Sequence, residues 1–227
     1  MTLQTGRVLA VNVVAQIRPD GKSGRLTAID KRPVEGRVRA AELGLEGDRQ
    51  MDTKHHGGRD QALYAYARED LDDWAARLAR ELPSGQFGEN LTLQGIDVSG
   101  AIIGERWRIT PPSGVALRNG EAQRDELVVE VTEMRVPCAT FARWMSEPHW
   151  VRRFAERARF GAYLRVVQPG TVGAGDEVEV IHRPTHGVAV GDSFRGLDSA
   201  QSAALVAADD AGEIELSGDL RAMLGVD

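Results

Sequence analysis

Cysteine occurs only once in this chain of 227 residues, at Cys138. A single cysteine excludes an intrachain disulfide and a zinc site made of paired cysteines, and it fits a reducing compartment such as the cytoplasm. The count leaves one question open, because a lone cysteine is more often inert packing than a reactive thiol. The residues around Cys138 must decide between the two.

Long apolar runs are also missing from the sequence. The longest are six residues, 62–67 and 203–208, whereas a membrane-spanning helix needs about 18. The first seven residues lack the basic start and apolar stretch of a secretory signal. The 28 basic and 34 acidic side chains give a net charge of −6, which gives the chain no overall electrostatic reason to bind nucleic acid or an anionic membrane. We therefore expect a globular, cytoplasmic protein.

Short strands separated by turns dominate what is present. Two apolar stripes at three- and four-residue spacing predict helices over residues 71–82 and 147–159. Residues 62–66 fit either a strand or the start of a helix. Predicted strands cover residues 8–15, 26–29, 36–40, 87–93, 106–109, 127–132, 163–168 and 177–182, with turn-rich segments at 43–60 and 170–175.

This order of elements predicts a mainly β fold, a closed β-barrel with inserted helices. After Pro184 the composition changes to alanine, serine and acidic residues, and Asp198 and Ser217 are expected N-caps of tail helices. We predict a barrel domain over residues 1–183 and a small helical extension over residues 184–227.

Three polar segments are candidates for chemistry. Lys54-His55-His56-Gly57-Gly58-Arg59-Asp60 offers cationic side chains and glycine backbone N–H groups to an anion, or it is a solvated turn. Phe87-Gly-Glu-Asn90 is a polar turn whose side chains could simply satisfy loop backbone groups. Arg135-Val-Pro-Cys138 places the thiol on a rigid turn after a strand, with Arg135 as a nearby positive charge. A Cys/His hydrolase is conceivable, but no flanking signature supports it.

Seven segments, in this order, resemble the MOSC family, named after the C-terminal domain of molybdenum-cofactor sulfurase. They are Ile29-Asp-Lys-Arg-Pro-Val34, Gly44-Leu-Glu-Gly-Asp48, His55-His-Gly-Gly58, Phe87-Gly-Glu-Asn-Leu91, Arg135-Val-Pro-Cys138, Gly161-Ala-Tyr-Leu-Arg-Val166 and Gly170-Thr-Val-Gly-Ala-Gly-Asp176. Each match alone is weak, but seven collinear matches over roughly residues 6–183 are specific.

The resemblance implies a MOSC-type barrel similar to the β-barrel of pyruvate kinase, in a stand-alone bacterial protein. Some members of that branch reduce N-hydroxylated bases such as hydroxylaminopurine. By resemblance, Cys138 is the thiolate ligand of molybdenum in the molybdenum cofactor (molybdopterin) and the catalytic residue. The residues that the resemblance places at the cofactor or substrate are Lys31, His55, His56, Asn90 and Arg135.

Three functions follow from the resemblance. The first is a molybdenum-dependent oxidoreductase that reduces small N-hydroxylated compounds to amines, with electrons from a separate flavin or iron–sulfur reductase. The second is a sulfur carrier that holds a persulfide on Cys138, received from a pyridoxal-phosphate cysteine desulfurase; pyridoxal phosphate binding is expected in that setting. The third is a non-catalytic protein that binds or stores the cofactor. The residues after Cys138 and the tail depart from the hydroxylaminopurine-reducing branch, which leaves the substrate open.

Overall fold

The computed structural model of the chain describes residues 4–21, 24–51, 57–112 and 126–226. Its strands are β1 (Thr5–Pro19), β2 (Leu26–Pro33), β3 (Arg37–Ala41), β4 (Gly44–Leu45), β5 (Leu63–Ala67), β6 (Leu91–Gln94), β7 (Arg106–Thr110), β8 (Leu127–Glu133), β9 (Ala162–Gln168), β10 (Gly170–Gly173) and β11 (Glu177–His182). Its α-helices are α1 (Arg68–Leu78), α2 (Ala139–Met145), α3 (Trp150–Arg157), α4 (Asp192–Arg195), α5 (Ser199–Asp210) and α6 (Gly218–Leu224).

Seven strands close into a barrel, in the order β11-β7-β8-β9-β5-β6-β1, and β11 pairs with β1 to complete the circle. Neighbouring barrel strands are antiparallel except β5 and β6, which are parallel. Beyond the barrel, β1 continues into a hairpin with β2, while β3, β4 and β10 form a separate small sheet. The predicted closed, mainly β barrel is confirmed.

Alternating side chains explain why these segments form strands. In β7, Trp107 and Ile109 are buried and their neighbours are partly exposed, and in β11 the buried residues are Val178 and Val180. This period of two places one face of each strand in the core. Where β1 lies beside β6, a Cβ on Gly6 would be 2.3 Å from the Gln94 backbone oxygen, so only glycine allows the two strands to approach this closely.

An aromatic cluster joins the first three helices to the turn before β6. Phe87, on that turn, lies 5.2 Å from Phe141 of α2, measured between ring centroids. The centroids of Trp74 in α1 and Trp150 in α3 are 4.6 Å apart, and Phe154 lies 5.1 Å from Phe141. Edge-to-face aromatic packing of this kind stabilises the core beyond the area that it buries. The cluster therefore fixes α2 relative to the turn at residues 83–90.

The sequence misplaced several element boundaries. The helix predicted over residues 147–159 is present as the shorter α3, and the sequence did not predict α2, which lies before it and ends where Ser146 adopts a left-handed backbone conformation. Residues 87–90 are a turn and only Leu91–Gln94 is a strand. Helix α1 ends at Leu78, with Ala79 in the left-handed conformation, before Pro83 is reached. The expected turns at 43–48 and 170–175 contain the strands β4 and β10.

Two of the tail helices, α5 and α6, begin where the sequence predicts, and the short helix α4 was not predicted. The Asp198 side chain accepts from the Gln201 backbone N–H in a capping box, and the Ser217 hydroxyl accepts from the Leu220 N–H. Buried apolar side chains of the tail join the same core as the barrel: Leu205, Ala208, Ile214, Leu216 and Leu220. The domain boundary at residue 183 stays a prediction. No helix in the described part of the chain is long and apolar enough to cross a membrane.

Candidate active-site cavity

A cavity of about 920 Å³ opens on one side of the barrel. Its wall is built from β2, the segment after β4, β5, the turn before β6, the turn between β8 and α2, and β9. The described residues that line it are Asp20, Arg25, Leu26, Thr27, Ala28, Ile29, Lys31, Arg49, Gln50, Met51, Gly57, Gln61, Tyr64, Gly88, Asn90, Arg135, Cys138, Ala139, Thr140, Arg143 and Tyr163. Four of the six residues expected from the resemblance therefore share one wall: Lys31, Asn90, Arg135 and Cys138.

Cys138 lies on the turn that leads from β8 into α2. It is half-buried, and its extended backbone makes it the N-cap residue of α2, with its carbonyl accepting from the Ala142 N–H at 3.0 Å. Pro137 restricts the backbone just before it. Cys138 therefore lies on a restricted turn, where it lines the cavity and also packs against the hydrophobic core. This position departs from that of an inert, fully buried cysteine.

Arg135 is buried behind Cys138 and organises the turn. Its guanidinium carbon lies 4.9 Å from the Tyr64 ring centroid and 4.2 Å from that of Phe141, and Nη1 donates to the Phe87 carbonyl. Burial by itself would lower the pKa of Arg135, but the acidic groups of Tyr64, Tyr163 and Cys138 raise that pKa above its ordinary value. Arg135 therefore remains a fixed positive charge next to the cysteine.

Lys31 reaches the cavity wall from β2 and forms an ion pair with Asp48. The two side chains are only 9% and 6% exposed. Burial lowers the pKa of Lys31 below its ordinary value, although Asp48 opposes the shift. Asp48 also accepts from the Val14 backbone N–H at 2.9 Å and from Asn90 Nδ2 at 2.8 Å. Lys31 is thus positioned by a carboxylate that several elements hold in place.

Asn90 lines the cavity, yet its amide is used by the scaffold. Its Oδ1 accepts from the Tyr64 N–H at 3.1 Å, and its Nδ2 donates to the Asn12 carbonyl at 3.2 Å as well as to Asp48. One side chain therefore ties together β1, β5 and the segment after β4. The structure places Asn90 at the site but commits both ends of its amide to this framework.

The turn that carries Asn90 depends on a buried carboxylate, Glu89. It accepts from the Gly85 N–H at 2.6 Å, the Phe87 N–H at 3.0 Å and the Thr92 hydroxyl at 2.9 Å. Burial raises the pKa of Glu89 in spite of these donors. Gly85 has a φ of +86°, and a Cβ there would lie 2.4 Å from the Lys31 carbonyl oxygen. These contacts explain why residues 87–90 form a turn rather than the predicted strand.

Two glutamines hold the next part of the wall. The Gly57 N–H donates to Gln61 Oε1 at 2.9 Å, and the Gly58 N–H donates to Gln50 Oε1 at 3.3 Å. Gln50 Nε2 in turn donates to the Gln61 carbonyl at 2.9 Å. His55 and His56 lie outside the described residues, directly before Gly57 in the sequence. Neither glutamine was expected at the site, and no motif in the sequence marked them.

Two tyrosines, Tyr64 of β5 and Tyr163 of β9, also line the cavity. Tyr64 is buried, and its hydroxyl donates to the Phe160 carbonyl at 2.7 Å. Tyr163 is half-buried beside it, with ring centroids 5.4 Å apart. Burial raises the pKa of Tyr163 to about 12, so its hydroxyl keeps its proton near neutral pH. Tyr163 falls inside a segment that matched the family, which was the one signal that could have identified it.

The charged side chains of the wall are mainly basic although the whole chain is acidic. Of its described lining residues, five are basic (Arg25, Lys31, Arg49, Arg135 and Arg143) and one, Asp20, is acidic. Arg143 pairs with Asp20, with Nη2 2.7 Å from Oδ2. Among the described residues, no group of three or more His, Cys, Asp or Glu side chains is arranged to hold a metal ion. The arrangement suits an anionic ligand that presents a thiol-binding centre to Cys138.

Comparison with known proteins identifies the family. The MOSC domain model matches residues 52–179, more than half of the chain. The chain is 33% identical to the uncharacterised protein YflK of Bacillus subtilis over 171 residues, which cover 75% of this chain and 70% of YflK. It is 31% identical to the protein YiiM of Escherichia coli over 173 residues, 74% of this chain and 68% of YiiM.

Two further matches concern a longer protein and a solved structure. A protein of Gibberella moniliformis named as a reductase is 26% identical over 187 residues, which cover 81% of this chain but only 30% of the reductase. The crystal structure of YiiM from Geobacillus stearothermophilus shares the fold, with a TM-score of 0.71, 23% identity and 97% of each chain covered. On the family model and the two bacterial relatives, this chain belongs to the MOSC domain family.

Proposed function

We propose that this protein binds the molybdenum cofactor in the Cys138 cavity and reduces N-hydroxylated compounds to amines. The observation that carries the proposal is that the single cysteine and five basic side chains line one cavity of about 920 Å³. Membership of the MOSC domain family supports it, since that domain is associated with molybdenum-cofactor binding. A relative named as a reductase supports redox chemistry.

The residues present fit the cofactor in kind. A thiolate is a soft ligand and suits a metal centre that is rich in sulfur. Molybdopterin ends in a phosphate, which requires cationic side chains or backbone N–H donors. Cys138 would supply the ligand, and Lys31 and Arg49 would supply charge on the same wall. When bound, the cofactor would supply the two-electron redox centre.

The chain's own residues would orient the reactants. Arg135, fixed between two aromatic rings, holds the turn that carries Cys138. The Tyr163 hydroxyl, whose pKa is about 12, would donate a hydrogen bond to the substrate without losing its proton. The partly apolar wall at Leu26 and Ile29 would contact the body of a planar substrate.

The stoichiometry of N–OH reduction determines how many electrons a partner protein must supply. Converting an N–OH group to an amine breaks the N–O bond, forms an N–H bond and releases water, and it consumes two electrons and two protons. A chain with one cysteine has no dithiol to cycle, so we assign the electrons to a separate flavin or iron–sulfur reductase. The protons come from solvent through the open side of the cavity.

A reductase-coupled assay tests this function. The protein is purified from cells that synthesise the cofactor and incubated with a supplied reductase and a panel of N-hydroxylated purines, amidoximes and hydroxylamines, and amine formation is quantified. We expect turnover in the wild type and in Ala139→Ser, a matched change at the adjacent first residue of α2, and at least a hundredfold loss in Cys138→Ser. Molybdenum-loaded protein that reduces nothing in the panel would refute the proposal. A sulfur adduct on Cys138, seen by intact mass and absent in Cys138→Ser, would point instead to sulfur carriage.

A further inference from the structure

A buried charge cluster joins the C-terminal tail to the barrel, next to the candidate cavity. Arg165 of β9 has a side chain that is only 2% exposed, and it lies 2.7 Å from Asp60, 3.1 Å from Glu130 and 3.0 Å from Glu215, measured between nitrogen and carboxylate oxygen. A buried arginine with three carboxylates on different segments is a strongly ordered junction. Glu130 lies on β8, Glu215 lies on the tail, and Asp60 is the last residue of the polar segment Lys54–Asp60.

The tail also contacts residues 59–61 directly. The Gly218 N–H donates to Asp60 Oδ2 at 3.1 Å, and Arg59 forms an ion pair with Glu215. The opposite side of the tail packs into the core, where Ile214 lies so close to Gly104 that a Cβ on that glycine would be 2.2 Å from Ile214 Cγ2. The tail therefore contacts the barrel core on one side and residues 59–61 on the other.

One hydrogen-bonded chain continues from the tail to the cavity wall. The Ser217 hydroxyl, at the N-terminus of α6, donates to Glu133 Oε2 at 3.0 Å. The other oxygen of this buried carboxylate accepts from Gln61 Nε2 at 2.6 Å. Gln61 lines the cavity, and its Oε1 accepts from the Gly57 N–H. Ser217, Glu133, Gln61 and Gly57 thus connect the tail to the segment where the resemblance places the histidine pair.

We propose that the C-terminal tail is a brace that positions residues 57–61 for ligand binding, with Ser217 and Glu133 as positioning residues that act through Gln61. Glu133 is suited to this role because its two oxygens each accept from a different segment, which fixes both donors at once. The coupling is reciprocal, so a ligand that orders residues 57–61 also protects the tail. This inference rests on the proposed function for the identity of the ligand but not for the brace itself.

Backbone amide exchange tests the brace without any activity. The variant Ser217→Ala removes an N-cap and the contact with Glu133, whereas the control Asp198→Ala removes the N-cap of α5 and touches none of residues 57–61. We expect exchange of the Gly57 amide to be at least about fivefold faster in Ser217→Ala, the effect of losing one ordinary hydrogen bond, and unchanged in Asp198→Ala. Equal exchange at Gly57 in both variants would overturn the brace.

A second variant covers the case in which Ser217→Ala does not fold. Glu133→Met keeps a similar side-chain volume but removes both acceptors, so exchange is expected to rise at Gly57 and at Leu220 together. A rise at neither amide would overturn the brace. The molybdenum content of the protein after gel filtration tests the link to function. We expect Ser217→Ala to retain less molybdenum than the wild type and Asp198→Ala to retain as much. A wild type that retains no molybdenum refutes the proposed function, and the exchange result still decides the brace.

Discussion

Replacing Asn90 distinguishes a scaffold residue from a ligand-binding residue. In Asn90→Ala the Tyr64 N–H loses its acceptor and the Asn12 carbonyl loses a donor, and both groups are buried. Each buried group left without its partner costs about 1–3 kcal/mol, so we expect the free energy of unfolding to fall by roughly 2–6 kcal/mol. That is a large share of the total of about 5–15 kcal/mol that is typical of a folded protein.

The variant Asn90→Asp sharpens the test. Its shape is nearly unchanged, but a carboxylate oxygen replaces the Nδ2 that lies 2.8 Å from Asp48 Oδ2 and 3.2 Å from the Asn12 carbonyl. The new carboxylate oxygen would then face two other acceptors, Asp48 Oδ2 and the Asn12 carbonyl, with no hydrogen between them. We therefore expect Asn90→Asp to be at least as unstable as Asn90→Ala at neutral pH. Its free energy of unfolding should rise again as the pH falls, because protonation of the new carboxylate restores a donor.

Urea denaturation of both variants gives the measurement. The midpoint should fall while the dependence on urea stays constant, and Met51→Ala, at the partly exposed rim of the same cavity, should change the midpoint little. A loss below about 1 kcal/mol in Asn90→Ala, together with lost cofactor binding, would refute the scaffold interpretation and show that Asn90 contacts the ligand.

Three further predictions concern the wall of the cavity. Gly85→Ala should lower the free energy of unfolding by at least about 1–2 kcal/mol for the left-handed backbone alone, with more from the close Lys31 carbonyl; a neutral effect by thermal denaturation would contradict this geometry. Burial raises the pKa of Glu133, so the folded chain binds more protons than the unfolded chain between the ordinary and the raised pKa, and the free energy of unfolding should fall as pH rises through that range. Glu133→Gln should remove that slope, and an identical pH dependence of both proteins would refute the assignment. Arg135→Lys keeps the charge but loses the guanidinium contacts with two rings and the hydrogen bond to the Phe87 carbonyl, so denaturation should show a loss of about 1–2 kcal/mol, and no loss would mean that these contacts contribute nothing.

The barrel could be predicted because its signals are local. Apolar and polar residues alternate in strands such as β7 and β11, and glycines mark the turns between strands. These patterns specify each element without knowledge of the strand that it pairs with. Helix α2 could not be predicted in this way. It ends at Ser146 and α3 begins after His149, and both residues adopt left-handed conformations, which residues other than glycine adopt seldom and which no local pattern in this sequence marks.

The sequence predicted four residues that line the same cavity, but it did not predict the contacts that each of them makes. Ordered motifs brought Cys138, Lys31, Asn90 and Arg135 together because they are embedded in the barrel framework. That the Asn90 amide is committed to the scaffold depends on Asp48, a residue 42 positions away in the sequence. Long-range polar partners of this kind leave no periodic signal.

The hydrogen-bonded chain from the tail to the cavity could not be predicted from the sequence, because its members are also far apart along the chain. Ser217 was predicted as an N-cap from its place before a helix, which is a local pattern. Its contact with Glu133, 84 residues away, appears only in the folded chain. The capping role of Ser217 can therefore be predicted from the sequence, but its hydrogen bond to Glu133 cannot.

The most direct test of the proposed site is the molybdenum content of the protein purified from cells that make the cofactor. Wild type, Cys138→Ser and the neighbouring control Ala139→Ser are measured side by side, with circular dichroism to verify folding. We predict molybdenum in the wild type and in Ala139→Ser and its loss in Cys138→Ser. Equal molybdenum in all three proteins would contradict the assignment of Cys138 as the ligand.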